Sequence, residues 1–313
     1  MRWEEAALDY IALGKTIYRM NHPREARRCA VFVMRCLLHP HRMEKLEAYF
    51  AQNAVLSRLA ESYPFVYEQP TRAFFYYHAT FEERAALVEQ HMRFLLEHLH
   101  EDVFLGLYQE RPVTLWQSVD EGEPLKLQLG FHPGQRKEGL LSVVLHLGDA
   151  ALYQIMFWIA PDKAGNMAMW IGAMQGPNMA HAKDVIKAVT KRCHSYRTKN
   201  LILHAAQEVA RALGLNRIYA VTNEGYYANN HVRLDRKLKT SFSDFWKESG
   251  GTPCEDTRFY SLPLAEHRKP MEEIPTRKRA NYRRRYAMLD AIDASVASSM
   301  DAIKKKSGTD RKD

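Results

Sequence analysis

The stretch LKLQLGFHPGQRKEGLLSVVLHLGDAALYQIMFWIAPDKAGNMAMWIGAM, residues 125–174, decides the fold. It contains four short apolar runs, Leu125 to Phe131, Leu140 to Leu147, Leu152 to Ile159 and Met167 to Met174, parted by Pro, Gly or Asp. Runs of this length between turn formers read as neighbouring strands. Two helices are predicted next, Ala180 to His194 and Thr198 to Leu213, with Gly214 stopping the second. Arg217-Ile218-Tyr219-Ala220-Val221 then supplies a further strand. A meander followed by helices and a strand makes the middle of the chain α+β.

Upstream, the pattern is helical. Pro23 opens a segment in which Ala26, Ala30, Val33, Met34 and Leu37 recur at three- and four-residue steps until Pro40. Thr80-Phe81-Glu82-Glu83 is a capping box, in which hydroxyl and carboxylate satisfy free backbone N–H groups, and predicts a helix to about Leu99. Between them Tyr63 to Tyr77 carries Pro64, Pro70 and seven aromatic residues, which reads as a packed irregular connection. The change to strand pattern is placed near Val103. At the other end, Pro275 suits the first turn of a last helix. There Tyr282, Tyr286, Leu289, Ile292, Val296, Met300 and Ile303 fall at helical spacing, so one face docks on something apolar. The expected division is a helical region over 1–101, an α+β domain over 102–265, and a basic C-terminal helix and tail over 266–313. No repeat at a fixed period is present, which excludes a solenoid.

Composition agrees with that plan. The 313 residues, 46% apolar and 26% charged, can bury a core in each of two domains, and they exclude disorder and collagen. A net charge of +8 favours polyanionic partners. Met1-Arg2-Trp3-Glu4-Glu5-Ala6 places two acids where a secretion signal needs a basic and then an apolar stretch. The most apolar runs, Cys29 to Met34 and Ala150 to Ala160, fall short of the roughly 18–20 residues that span a bilayer. Four cysteines, at 29, 36, 193 and 254, make no Cys-x-x-Cys pair and are too sparse for a disulfide framework, so a reducing cytoplasm is expected. Cys29 and Cys36 share one helix face two turns apart and read as buried packing.

No metal site is expected. In His39/His41 and His98/His100, side chains two apart on a helix diverge by about 200°, and nothing completes a ligand set. His-Glu-x-x-His, Gly-x-Ser-x-Gly and the Walker Gly-x-x-x-x-Gly-Lys are all missing, which argues against a zinc protease, an α/β-hydrolase and a P-loop nucleotidase.

The stretch Arg197-Thr198-Lys199-Asn200-Leu201-Ile202, followed by Ala205, Ala206, Val209, Ala210, Leu213, Gly214, Leu215 and Arg217-Ile218-Tyr219-Ala220, resembles the central helix and following strand of the GNAT N-acyltransferase superfamily. There an Arg/Gln-x-x-Gly-x-Gly/Ala loop turns backbone N–H groups toward the pyrophosphate of acyl-coenzyme A at the positive end of a helix. Arg197 matches the first position, while Asn200 and Ile202 stand at the glycine positions, which leaves the cofactor open. The residues a donor would meet on this resemblance are Gln175, Gly176, Arg197, Lys199, Asn200 and Asn223. The Gln175-Gly176 turn ends a strand before a helix, where backbone groups are free for a ligand or simply for a turn. Beyond Val221, residues 222–231 gather candidate catalytic groups. Glu224 or His231 would take a proton from an acceptor, and Tyr226 or Tyr227 would return one to a thiolate leaving group. The plainer alternative is a polar turn whose side chains cap backbone groups.

A second resemblance covers more of the chain. Trp170-Ile171-Gly172-Ala173-Met174-Gln175-Gly176, Arg197-Thr198-Lys199-Asn200-Leu201, Phe242-Ser243-Asp244-Phe245-Trp246 and the run Glu273 to Tyr286 are similar to the VirK/YbjX family of Gram-negative bacteria. That resemblance implies a role in virulence, envelope integrity or stress resistance, including resistance to cationic antimicrobial peptides, and brings no agreed catalytic residues. Between Arg268 and Leu289 eight Lys/Arg stand against Glu272 and Glu273. Of these, Arg277, Lys278, Arg279, Arg283, Arg284 and Arg285 are candidates for an anionic membrane surface, worth roughly 1 kcal/mol each. Nucleic acid, with Tyr282 and Tyr286 stacking on bases, ranks below that. A third option pairs the arginines with acids of the body. Two functions therefore stay open: a divergent acyltransferase acting on an envelope component or protein, and a non-catalytic accessory protein that binds a membrane surface, partner protein or nucleic acid. Both are expected in the cytoplasm, touching the inner membrane from inside.

Overall fold

Each predicted strand of the meander forms and pairs with the next. The computed structural model of the chain describes residues 9–119, 122–230 and 241–306. Strands β1 (Val113–Gln117), β2 (Leu125–Gly130), β3 (Leu141–Leu147), β4 (Ala150–Pro161) and β5 (Met167–Gln175) run antiparallel in sequence order. Helices α8 (Ala182–Arg192) and α9 (Thr198–Ala212) then cross over to β6 (Ile218–Val221), which lies parallel to β5. After α10 (Phe242–Glu248) the short β7 (Thr252–Pro253) and β8 (Phe259–Leu262) complete one mixed sheet, in the order β1-β2-β3-β4-β5-β6-β8-β7. The fold is α+β, with helices at both ends of the chain.

The N-terminal helices are α1 (Tyr10–Ile17), α2 (Pro23–Leu38), α3 (Pro40–Ala51), α4 (Ala54–Ser62), the single turn α5 (Phe65–Glu68), α6 (Phe81–His98) and α7 (Glu101–Tyr108). Pro40 ends one helix and sits at the first turn of the next. The capping box at Thr80 forms as read: its hydroxyl accepts from Glu83 N–H, and the Glu83 carboxylate accepts from Thr80 N–H. Cys29 and Cys36 are both buried on α2. The aromatic connection is packed, with Phe74, Phe75 and Tyr76 buried.

One boundary differs from the sequence reading. Helix continues through α7, past Val103, and the first strand starts at Val113. Phe104, Leu105, Leu107 and Tyr108 are all buried, so this segment is apolar on every side and carries neither a helical nor a strand period.

Strand β4 is the centre of the core. Ile155 to Ala160 are buried at every position, so both faces of the strand are covered, and α6 and α9 both pack on it. Its pairing with β3 ends at Leu141 opposite Phe157, which leaves the Ile159 N–H without a strand partner. His91 of α6 accepts that N–H on Nδ1 at 3.0 Å, and its Nε2 lies 3.0 Å from the Tyr108 hydroxyl, which donates to the Leu140 carbonyl. The last helix, α11 (Thr276–Ile303), buries Leu289, Ile292, Val296 and Met300 against α9 and β1. Ser295 and Ser299 on it donate to the Leu115 carbonyl, and the His100 N–H donates to the Ile303 carbonyl.

Candidate functional site

Parallel pairing of β5 and β6 lasts only from Met169/Ile218 to Ile171/Ala220. Past this point the two strands are no longer paired, which leaves an opening between them. Met156 pairs with Ala173 and Phe157 with Ile171, so Gly172 is one residue more on β5 than β4 can match, a bulge at the mouth of the opening. A Cβ at Gly172 would lie 1.8 Å from the Glu138 carbonyl oxygen, so only glycine admits the segment that passes there. Gly139 is also tight against β4, where a Cβ would meet Phe157 N at 2.6 Å.

That segment does not stand alone. The Phe75 N–H donates to the Lys137 carbonyl at 2.8 Å, Tyr76 forms an antiparallel bridge with Tyr226, and the Tyr77 N–H donates to the Gly225 carbonyl at 2.8 Å. From β5 to the loop after β6, the opening is thus filled by two pieces of the chain, residues 137–139 and 74–77. Phe75 and Tyr76 pack against Trp158 at 5.6 and 6.1 Å between ring centroids.

Glu138 brings a carboxylate with it, only 5% exposed. One oxygen accepts from the Tyr226 hydroxyl and the other from the Gln175 amide. Gln175 accepts in turn from Gln154 at 2.8 Å, and Gln154 from Gln135, so three amides lead to the carboxylate. Burial raises the Glu138 carboxyl above its ordinary range, and the two donors oppose that shift without cancelling it. Burial, and then the charge of Glu138, push the Tyr226 phenol far up. The arrangement can hold or pass one proton between a buried carboxyl and a phenol.

The predicted site residues divide. Gln175 and Tyr226 meet on Glu138; Tyr227 stacks edge-on with Tyr226 at 4.8 Å and with Phe74 at 6.2 Å. Gly176 lies beside the Tyr153 ring. Glu224 is exposed, and its carbonyl accepts from the Asn229 amide. Asn223 caps α10: its side-chain oxygen accepts from Phe242 N–H at 2.7 Å. His231 lies outside the described residues. At the N-terminus of α9, Arg197 is ion-paired with Glu248 at 2.9 Å. Lys199 lies over the Phe245 ring, its pKa lowered by burial and then by Arg197. Asn200 lines a hollow of about 370 Å³ whose wall includes Glu248 and Glu266. This helix start therefore has two carboxylates as well as two cations around it.

On α11, Arg277, Lys278, Arg283 and Arg284 are exposed, with no acid within ion-pair distance among the described residues. Arg279 and Arg285 are used within the fold. Arg279 donates to the Ile274 carbonyl, and Arg285 donates to the carbonyls of His194 and Ser195, a left-handed turn after α8.

Three features went unread in the sequence. Glu138 sits in Gln135-Arg136-Lys137-Glu138-Gly139, which looks like a solvated turn between strands; its carboxylate partners, Gln175 and Tyr226, lie 37 and 88 residues downstream. A cleft of about 550 Å³ has Trp158, Trp170 and Tyr219 in its wall, the last two stacked at 4.3 Å, and the Asp162–Arg217 and Asp256–Arg258 pairs beside them. His204, Glu208 and Asp293 bring three potential metal-ligating groups within 4.8 Å of one another. The spacing of His204 and Glu208 was visible, but Asp293 comes from α11. Arg211 already pairs with Glu208, and Arg268 with Asp293 at 3.1 Å, so guanidinium groups offset both carboxylates.

Among the described residues, fold and site together define an α+β protein with one mixed sheet, in which a buried carboxylate bonded to a half-buried phenol stands at the parallel junction of β5 and β6. The chain belongs to the DUF535 family, described as proteins of unknown function, whose model matches residues 21–298. It is 34% identical over 180 residues to the uncharacterized protein YbjX of Escherichia coli K12, a match covering 56% of this chain and 54% of that protein. An uncharacterized protein of Haemophilus influenzae is 29% identical over 58% of this chain and 59% of its own length. Membrane protein LapB of Mannheimia haemolytica is 25% identical over 70% of this chain and 91% of its own length. The chain spans little more than half the length of the first two relatives. Among the described residues, no helix is long and apolar enough to cross a membrane.

Proposed function

We propose that the chain supports the bacterial envelope, in the peptide-resistance and virulence setting that its VirK/YbjX resemblance implies, as a binding protein on an acyltransferase-type scaffold. The scaffold reading is supported by α9 and β6, which follow the antiparallel meander where the GNAT resemblance expects a central helix and its strand. One observation carries the non-catalytic reading. The opening between β5 and β6, which an acyl donor would have to enter, is occupied by residues 137–139 and 74–77. The paired Arg197 at the start of α9 points the same way. The four exposed cations of α11 offer a polyanion surface, which suits a protein working beside the inner membrane from the cytoplasmic side.

Calorimetric titration of the full chain with acetyl- and long-chain acyl-coenzyme A tests this directly. The expected result is no saturable heat; saturable binding that Arg197→Ala weakens would overturn the closed-slot reading. A second reading, a divergent acyltransferase, draws on the Glu138–Tyr226 pair, whose raised carboxyl is suited to proton transfer. Glu138→Gln and Tyr226→Phe, expressed at the normal level in a strain lacking the protein, separate the two. Survival of a cationic peptide challenge is expected to be unchanged, and its loss in both variants would favour catalysis.

A further inference from the structure

Helix α2 carries three stripes. Cys29, Phe32 and Cys36 face the core. On a second stripe Met34, Leu37 and Leu38 stand in solvent, 52%, 64% and 65% exposed, joined by Ile11 of α1 and by Met20 at 56% and 47%. Apart from Val119, these are all of the large apolar side chains left exposed among the described residues. They line an open groove of about 490 Å³ between α1 and α2. Gly14 sets the close approach of the two helices, since a Cβ there would meet the Cys29 sulfur at 2.8 Å.

The third stripe is basic. Arg24, Arg27, Arg28 and Arg35 join Arg72 around a hollow of about 390 Å³ whose wall holds no carboxylate. Arg28 pairs with Glu25, Arg35 donates to the Thr71 carbonyl, and Arg72 stands 4.0 Å from Glu68. Arg24 and Arg27 have no acid within ion-pair distance among the described residues. Burial, and then the neighbouring Arg72, hold the Arg35 pKa below its ordinary value, as expected where cations crowd together.

Scattered exposed apolar residues need no explanation, but a contiguous patch beside charge of one sign marks an interaction surface. We propose that this face of α1 and α2 binds anionic phospholipid at a bilayer surface, with phosphates in the arginine hollow and acyl chains against the apolar groove. A bilayer offers both features in one plane, with negative charge a few ångströms above hydrocarbon, and a surface-lying helix with an apolar face and a basic flank matches it. A second copy of the face would bring arginine stripe to arginine stripe. The proposal depends neither on the filled opening nor on the cations of α11.

Co-sedimentation of the full chain with phosphatidylcholine vesicles, with and without phosphatidylglycerol, tests it. Binding is expected only with phosphatidylglycerol, falling about tenfold or more both for Leu37→Asp with Leu38→Asp and for Arg24→Glu with Arg27→Glu. These side chains are exposed or paired with nothing described, so unchanged thermal melting should accompany the loss. An environment-sensitive dye on Leu38→Cys, in a Cys254→Ser background where the other cysteines are buried, should shift to the blue on binding. Several results would overturn the proposal. Both pairs could bind as well as the parent, or binding could be lost only with Arg283→Glu and Arg284→Glu. Inorganic phosphate could displace the vesicles while the Leu37/Leu38 pair has no effect, which would mark a small-anion site. A dimer in sedimentation velocity, split by that same pair, would assign the face to a second copy of the chain.

Discussion

His91 must be neutral for β4 to keep its last inward hydrogen bond. Its Nδ1 accepts from Ile159, so a proton there would set two N–H groups against each other, and burial holds the imidazole pKa down to about 3 from an ordinary 6.5. The unfolded chain takes up that proton below its ordinary value and the folded chain does not. Stability is therefore intact above about 6.5 and declines as pH falls toward 3, by at most about 1.4 kcal/mol per unit from this residue. His91→Gln should cost stability at neutral pH yet flatten the acid limb; urea midpoints at neutral and mildly acidic pH measure both effects. A slope unchanged by the substitution would mean that other groups set the acid sensitivity. The sequence showed this histidine only as one of fourteen, because the N–H it accepts lies on a strand sixty-eight residues away.

Helix α11 illustrates what an element's pattern can and cannot reveal. The stripe from Leu289 to Ile303 was legible as a docking face because helical periodicity is local, and the same holds for the Thr80 cap and the meander strands. What the stripe docks on was not legible: α9 and β1 lie some eighty to one hundred and eighty residues upstream. The fates of the arginines split for the same reason, since Arg285 finds the carbonyls of the His194–Ser195 turn while Arg283 and Arg284 stay in solvent. Removing α11 takes away Leu289, Ile292, Val296 and Met300, each fully buried, and exposes the faces of α9 and β1 that they cover. At about 1.5–3 kcal/mol per side chain the loss approaches the whole stability of an ordinary domain, about 5–15 kcal/mol. A chain ending at Glu273 should lack a cooperative melt by circular dichroism. A sharp transition near the parent's would show that the rest folds without it.

At the scale of the molecule, the buried apolar residues of the helical region, the sheet and α11 form one continuous cluster. The boundaries drawn near residues 101 and 265 follow changes of pattern, and local pattern carries no record of how pieces pack. Urea unfolding followed by far-ultraviolet dichroism and by tryptophan fluorescence should give coincident transitions, since Trp158 and Trp170 report from beside α6; two separated midpoints would mark independently folding parts. The class of fold was readable because strand and helix signals are short-range. The filled opening was not, because three distant segments make it, around a glycine whose need for space shows only once they meet. That filling also constrains engineering. Placing glycines at positions 200 and 202 of α9 would not open the space between β5 and β6, since two backbone segments, hydrogen-bonded to each other and to the loop beyond, would have to withdraw together. A designer seeking a ligand site here would need to rebuild loops rather than exchange residues.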